Sequence, residues 1–569
     1  MKPMTRGMGI FFLAGILLAA CNGVNPAREE AAQHSTLDAA ETAVALLSPT
    51  NTPFLPSQDP AYPPESTAAA STAAVKTPPS IWFSPALPES FLSSFQLPGE
   101  WQTVAEPEAA SVRILPGDEH PIASWTYVLA APFPTVTDGV TEAELRGGWS
   151  GQNTGFFAGR PLLVDQNTLE VFSGRWGNPA PGATQVIPAE GLLDAAWSAR
   201  PAWAVIPWGE VEPRWKVLTL NGQSPMQKEF TPGGYALDVP ISCLGDAGLC
   251  GGELAGIIPP ANRDPSKLTT LALTGVTALV RATASTMEAR GITYPAQDVG
   301  PLLQAADLTH ISNEIPFAQN CPPPDPSPEL YPFCSDPRYI DLLEYVGTDI
   351  VELTGNHVLD YKKGALLYTL DLYRQRGWQF YASGADLSSA RQPVRIEHNG
   401  NRLAFIGCNR VGYNGEWATD TTPGAAPCDF DYLQSEIRSL RLDGYLPVMT
   451  FQYFEYYQYE PTAQQAEEFG WIADSGAVIV SGSQAHHPQG FNISGSTFIH
   501  YGLGNLFFDQ FGFQQETELA FIDRHVFYQG RYLGVELFTI RFVDYARPRF
   551  MNSEERSGFL STVFSASGW

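Results

Sequence analysis

Four short stretches of this 569-residue chain collect the side chains that perform acid–base and metal chemistry. LTHISNEIP ends in Asn313 and Glu314. VELTGNHVLDY, Val351 to Tyr361, turns through a glycine into Asn356, His357 and Asp360. FQYFEYY carries Gln452 and Glu455, and SGSQAHHPQGF carries Gln484, His486 and His487. Asn, His and Glu offered by separate loops are the ligand types of a hard or borderline divalent cation, and of two-metal hydrolases in particular. A lone histidine after a strand is more often a hydrogen-bonded structural residue; the joint pattern is what points to a site.

Each stretch follows an apolar, strand-like run, and helical patterns separate the runs. KLTTLALTGVTALV reads as a strand running into a helix, TDIVELTG as a strand followed by the helix KKGALLYTLDLYRQRG, and LPVMTFQYF as a strand followed by PTAQQAEEFGWIADSG. PVRIEHNGNRLAFIGC reads as a hairpin turning at Asn399-Gly400. This order predicts a layered α/β sheet with helices on both faces, whose ligands sit where strands end. Alternation in Tyr453, Phe454, Tyr456, Tyr457 and Tyr459 splits them between core and cleft, and exposed members suit sugar rings or a polymer groove.

Between Leu268 and Gln510 the sequence resembles the CapA family of capsule and poly-γ-glutamate synthesis, related to calcineurin-like metallophosphatases. PLLQAADLTHISNEIPF is similar to that family's helix followed by Asn-Leu-Glu, and LTGNHVLDY to its Asn-Asn-His-x-x-x-Asp-Tyr block. SGSQAHHPQGF stands where the family has Gly-His-His-Pro-His, and IHYGLGNLFFDQ is similar to its Tyr-Ser-Leu-Gly-Asn-Phe-x-Phe-Asp block. The resemblance implies a metallophosphatase-like β-sheet sandwich flanked by helices. It also implies metal ligands at Glu314, Asn356 and His486, with Gln452, Gln484 and His487 as ligand-binding neighbours. His357 then resembles a general acid oriented by Asp360; the alternative is a pair that only holds the loop.

The departures bear on mechanism. Where the family's first strand ends in Gly-Asp this chain has Gly275-Val276, and valine cannot bind a cation. Gln452 stands where an imidazole belongs, and Ser483 or Gln484 where the first histidine of its block belongs. Two divalent ions about 4 Å apart repel strongly and need several anionic ligands. The expectation is therefore one weakly held divalent ion, Mn or Zn, or none.

A formal charge of −27, from 33 basic and 60 acidic residues, argues against nucleic acid as a partner. Lys2 and Arg6 precede GIFFLAGILLAA, an apolar core of signal-peptide length. It ends in LAAC, which resembles the lipobox of bacterial lipoproteins and implies cleavage before Cys21 and lipidation of that residue. The expected location is the outer face of the cell membrane. Six cysteines remain of seven, in close couples that predict the bridges Cys243–Cys250, Cys321–Cys334 and Cys408–Cys428 among the pairings six allow.

The expected organisation is a signal peptide over 1–21, a disordered Ser/Thr/Ala/Pro-rich tether over 22–80, a second α/β domain over 81–262, and the CapA-like domain over 263–569. Within the region 81–262, VTDGVTEAELRGGWSG resembles a stretch of type 2 periplasmic solute-binding proteins, with Thr141 as helix N-cap. Three functions follow. The chain serves a surface polymer or its biosynthetic machinery by binding, with a degenerate metal site; or it is an active metal-dependent phosphoesterase; or its N-terminal region captures a small solute.

Overall fold

The strand Leu268–Thr277 is buried along its whole length, as a strand covered on both faces must be. In the computed structural model, which describes residues 78–569 apart from 153–154, 328–331 and 413–414, it is the axis of an eight-stranded sheet. The expected signal peptide, Cys21 and nearly all of the expected tether lie outside the described residues. On one side the axis strand pairs in parallel with Leu308–Asn313, and beyond it lie Ile350–Glu352 and Gln379–Tyr381. On the other side it pairs antiparallel with Leu519–Tyr528, followed by Arg531–Phe542 and Pro548–Phe550.

Alternate residues of these strands serve different layers. Ala272, Ile311 and Val351 pack under the helices Arg281–Arg290, Ile340–Tyr345 and Lys362–Gln375. Leu271, Leu273 and Ile350 face Phe405, Val448 and Ile479 of a second, six-stranded sheet. That sheet is built on the hairpin Val394–His398/Asn401–Asn409, with Asn399 and Gly400 at positive φ in its turn. Leu446–Gln452, Ile479–Ser481 and Thr497–His500 add in parallel. The helices Phe430–Leu442 and Ala463–Asp474 cover its outer face. The layers run helix, sheet, sheet, helix: the expected α/β sandwich.

Register sets the site. Thr277 stands opposite Asn313, Ser312 opposite Glu352, and Thr450 opposite Ser481, so the carboxyl ends of the parallel strands finish at one level. The loops that follow open on one edge of the sandwich.

Residues 80–245 form a nine-stranded mixed sheet. Ser80–Phe83 runs parallel to Val112–Pro116, while Asp238–Gly245 is antiparallel to both Val112–Pro116 and the long strand Pro121–Pro132. Trp203–Pro207, Leu162–Val164 and Thr184–Val186 extend it. Thr141 caps the helix Glu142–Trp149 in a capping box with Glu144. Phe133, just past the long strand, is buried with Phe491, Phe498 and Phe564 of the sandwich. The three predicted disulfides are formed, with Cα–Cα separations of 5.7, 5.8 and 5.0 Å. Among the described residues no helix is long and apolar enough to cross a membrane.

Candidate functional site

Glu314 begins the loop after Leu308–Asn313, and its N–H donates to the Thr277 carbonyl at 2.9 Å. Its side chain is buried. The VELTGNHVLDY loop lies directly on it because Gly355 has no Cβ; a Cβ there would fall 2.5 Å from the Glu314 carbonyl oxygen. This close approach brings the turn that carries Asn356 and His357 against the Glu314 backbone, and His357 within electrostatic reach of the carboxylate.

His486 approaches from the other sheet. Its Nε2 is 3.6 Å from Glu314 Oε1 and 3.8 Å from Glu455 Oε1, and its Nδ1 is 2.8 Å from Asn505 Oδ1. Burial alone would push its pKa down, but the Glu314 carboxylate, with help from Glu455 and Asn505, drives it up to about 9. An imidazolium donates from both nitrogens, and here each nitrogen faces an oxygen. Glu314 shows the reciprocal effect. Burial would raise its pKa, but His486, with His357 and Arg281 behind it, holds it below the ordinary value.

His357 and Asp360 pair, with Nδ1 2.7 Å from Oδ2. The same carboxylate oxygen accepts the Phe333 N–H at 2.7 Å, and the Phe333 ring lies against the imidazole at 5.1 Å between centroids. Burial lowers the pKa of His357, but Asp360 and Glu314 outweigh it and raise the value. Cys334, next to Phe333, is bridged to Cys321, so a disulfide braces the segment that carries Asp360's second partner.

Val276, which the resemblance sets against a metal-binding aspartate, lies near the end of the axis strand. It is fully buried among Ile315, Phe333 and Phe508. Beneath the loops lies a carboxyl group that residue-by-residue reading of the sequence missed. Glu352 is fully buried, and Ser483 and Thr354 donate their hydroxyls to it. Burial raises its pKa above the ordinary carboxylate value despite those donors.

Gln484 belongs to this deeper layer and donates to Ser312 Oγ at 2.7 Å. Gln452 is fully buried at the end of its strand, and neither of its amide atoms has a protein hydrogen-bond partner. The same holds for Gln484 Oε1 and Asn356 Oδ1. His487 turns away from the cluster. Its Nδ1 is 2.7 Å from the Pro488 carbonyl and its ring packs on Tyr459 at 4.8 Å.

The structure therefore gathers Glu314, His357 and His486 into one electrostatic cluster, with Asn356 on the same turn as His357. It sets Gln452 and Gln484 in or near the buried layer below and keeps His487 structural. Asn505, Arg281 and Asp509 join the site without having been singled out. Asp509 pairs with the Arg281 guanidinium and accepts the Ala282 N–H at 2.7 Å, capping the helix that Arg281 begins. Asn505 and Asp509 were available as the polar members of YGLGNLFFDQ, and Glu352 as the one charge inside an apolar strand.

Of the neighbouring aromatic residues, Tyr453 is buried against Phe451 and Phe469 and donates to Glu468 at 2.7 Å. Tyr457 is half-buried and donates to Glu455 at 2.9 Å.

Comparison with known proteins bears on these residues. The family described as "Bacterial capsule synthesis protein PGA_cap" matches residues 270–510. The PGA biosynthesis protein CapA of Bacillus subtilis (strain 168) is 24% identical over 242 residues, 42% of this chain and 63% of that protein. The capsule biosynthesis protein CapA of Bacillus anthracis is 23% identical over 278 residues, 48% of this chain and 66% of that protein. The chain thus spans just under two thirds of the length of either relative. Among solved structures, a 5'-nucleotidase precursor from Thermus thermophilus aligns at 12% identity and a TM-score of 0.30, covering 53% of this chain and 58% of that one. The match over residues 270–510 takes in Glu314, the 356–360 loop, His486 and the 505–509 segment described above, and over that region the chain is similar to the bacterial capsule synthesis protein family.

Proposed function

We propose that this chain is an exported lipoprotein, held at the outer face of the membrane through Cys21, that serves the synthesis or anchoring of a capsular or poly-γ-glutamate polymer by binding rather than by hydrolysis. One observation carries the reading. Where a metallophosphatase needs a carboxylate, the chain has Val276 in an apolar cluster, and the carboxylate that remains, Glu314, is engaged by the His486 imidazolium.

The donor set does not fit a pair of divalent ions. Glu314 is the buried carboxylate of the cluster, Asp509 is paired with Arg281, and Asn356, Gln452 and Gln484 are neutral amides. Among the described residues no group of three or more His, Cys, Asp or Glu is disposed to hold a metal. The names of the two relatives supply the polymer: one is a PGA biosynthesis protein and the other a capsule biosynthesis protein. The half-buried Asn356, Tyr456 and Tyr457 supply neutral contacts for it.

The test has two arms. Protein purified without chelator from manganese-supplemented growth is expected to carry substoichiometric metal by elemental analysis and to leave an aryl phosphate intact. Immobilised poly-γ-glutamate is expected to retain it at about 0.15 M salt, where repulsion between two acidic bodies is screened beyond roughly 8 Å. Tyr457→Ala should weaken that retention. Stoichiometric metal with hydrolysis that Asn356→Ala abolishes would overturn the reading and make the chain a phosphoesterase.

A further inference from the structure

Away from the strand-end site, a cavity of about 460 Å³ opens between the first sheet and the C-terminal strands of the sandwich. The strand Trp215–Val217 forms one wall. The other comes from Arg531–Phe542, Phe550 and the helix Ser553–Ala566. A volume of this size suits a small molecule, and an apolar floor with a few convergent polar groups is how such sites are built.

The floor is apolar: Phe133 and Phe564 are buried at its back, while Leu537, Phe538 and Met551 are only half-buried and Phe550 is 38% exposed. These last residues present apolar surface that no other part of the described chain fully covers, and removing such surface from water is favourable.

The charges around the floor do not balance. Lys216, Arg524 and Arg556 face two carboxylates, Asp138 and Glu536. Asp138 is shared, accepting from Lys216 at 2.8 Å and from two nitrogens of Arg556 at 2.6 and 2.7 Å. Glu536 is taken by Arg524 at 2.8 Å. Lys216 also donates to the Thr135 carbonyl at 2.7 Å, and one positive charge is left over in the lining of an apolar cavity, in a chain whose formal charge is −27. Lys216 registers the imbalance: burial, with Arg556 nearby, pushes its pKa down to about 8 against the pull of Asp138. An anion from outside would relieve both.

We propose that this cavity binds a small amphipathic molecule carrying one anionic group, with its apolar body on Leu537, Phe538 and Phe550 and its charge beside Lys216 and Arg556. The site is independent of the strand-end cluster and of the polymer reading.

The test uses the full chain and 1-anilinonaphthalene-8-sulfonate, an apolar dye with one sulfonate, displaced by dodecanoate or by dodecyltrimethylammonium, each below its micelle concentration. Saturable dye binding is expected, with dodecanoate displacing the dye at about one tenth of the concentration of the cationic detergent, a difference of roughly 1.4 kcal/mol. Val217 and Gln227 line the cavity and are half-buried. Val217→Trp should abolish saturable binding by filling the space. Gln227→Glu should weaken dodecanoate about fivefold by cancelling the surplus charge, and should spare the cation.

Near-UV circular dichroism establishes that each variant is folded. Equal displacement by the two detergents, or undiminished dye binding in folded Val217→Trp, overturns the proposal. So does dye binding that falls with rising protein concentration while the mass by light scattering doubles, since the cavity would then belong to a second copy of the chain.

Discussion

Asn505 fixes the site's central cation from two directions. Its Oδ1 faces His486 Nδ1 at 2.8 Å, while its Nδ2 donates to the His486 carbonyl at 3.2 Å and to the Thr517 carbonyl at 3.3 Å. The side chain is fully buried, so truncation leaves those partners with no water to turn to. Asn505→Ala is expected to lower unfolding free energy by about 2–4 kcal/mol, the range for orphaning buried groups of which one is charged. Urea denaturation reads this directly, and a loss under about 0.5 kcal/mol, the level of an ordinary surface substitution, would show that Asn505 does not hold the imidazolium. The residue types of this cluster were legible in sequence: Glu314, His357, Asp360 and His486 stand in stretches whose composition announces polar chemistry. Their pairing was not. Asn505 lies far along the chain from His486's other partner, Glu314, and only the register of two sheets puts all three in contact. Glu352 escaped for the opposite reason, since a single glutamate inside an apolar strand reads as an edge residue until the partners that bury it are known.

At the scale of elements, the site exists because parallel strands finish at one level and glycines let the following loops lie close. Gly355 lies on the Glu314 backbone, and a Cβ at Gly482 would fall 1.9 Å from the Tyr501 carbonyl oxygen. Overpacking a tight contact costs roughly 1–3 kcal/mol, so Gly355→Ala should destabilise by that amount and push the turn carrying Asn356 and His357 off Glu314. Hydrogen exchange of the 354–361 amides would report the displacement, and unchanged protection there would mean that the loop adapts. Local order carried most of these elements into the sequence reading. The hairpin at Asn399-Gly400, the Thr141 cap and the strand-helix alternation from Leu268 to Ser481 all rest on short-range signals, and the structure has them. The long pair Leu519–Tyr528 and Arg531–Phe542 was not legible. It carries Asp523, Arg524, His525 and Glu536, which break the apolar run. Its polar members are accommodated by partners elsewhere, as when Asp523 takes His500 Nδ1 at 2.6 Å. The helix Gln166–Trp176 was hidden similarly, by Ser173 and Gly174 inside it.

Among the described residues, the fully buried His310 and His525 are held neutral in the interior, and that shapes how the molecule meets acid. His310 is fully buried, with Nε2 2.8 Å from the Tyr381 hydroxyl and 3.8 Å from Glu352. Burial, with His525 nearby, brings its pKa down to about 3. His525 is fully buried beside Tyr532, Asp523 and His500. Burial again dominates there, and with His500 it overrides Asp523 to bring the pKa down to about 4. An unfolded histidine titrates near 6.5. Above that value both states are neutral at these positions and the stabilising contribution is intact. Below it the unfolded chain binds protons that the folded chain refuses, so stability is lost as pH falls from about 6.5 toward the folded values. Each such histidine contributes a slope of about 1.4 kcal/mol per pH unit in that window. Denaturation free energies measured at pH 7, 6 and 5 should therefore fall by about 1–1.5 kcal/mol over the first unit and by about 2–3 kcal/mol over the second from these two residues. Replacing one of them isolates its share: His525→Gln keeps a polar group near Tyr532 but cannot titrate, and it should flatten the slope below pH 6 by about 1.4 kcal/mol per unit. If the variant loses stability with acid as steeply as the parent, the interior imidazole at 525 already carries its proton, and the packing of His500, Asp523 and His525 between the two sheets must be read as an ionic rather than a neutral core.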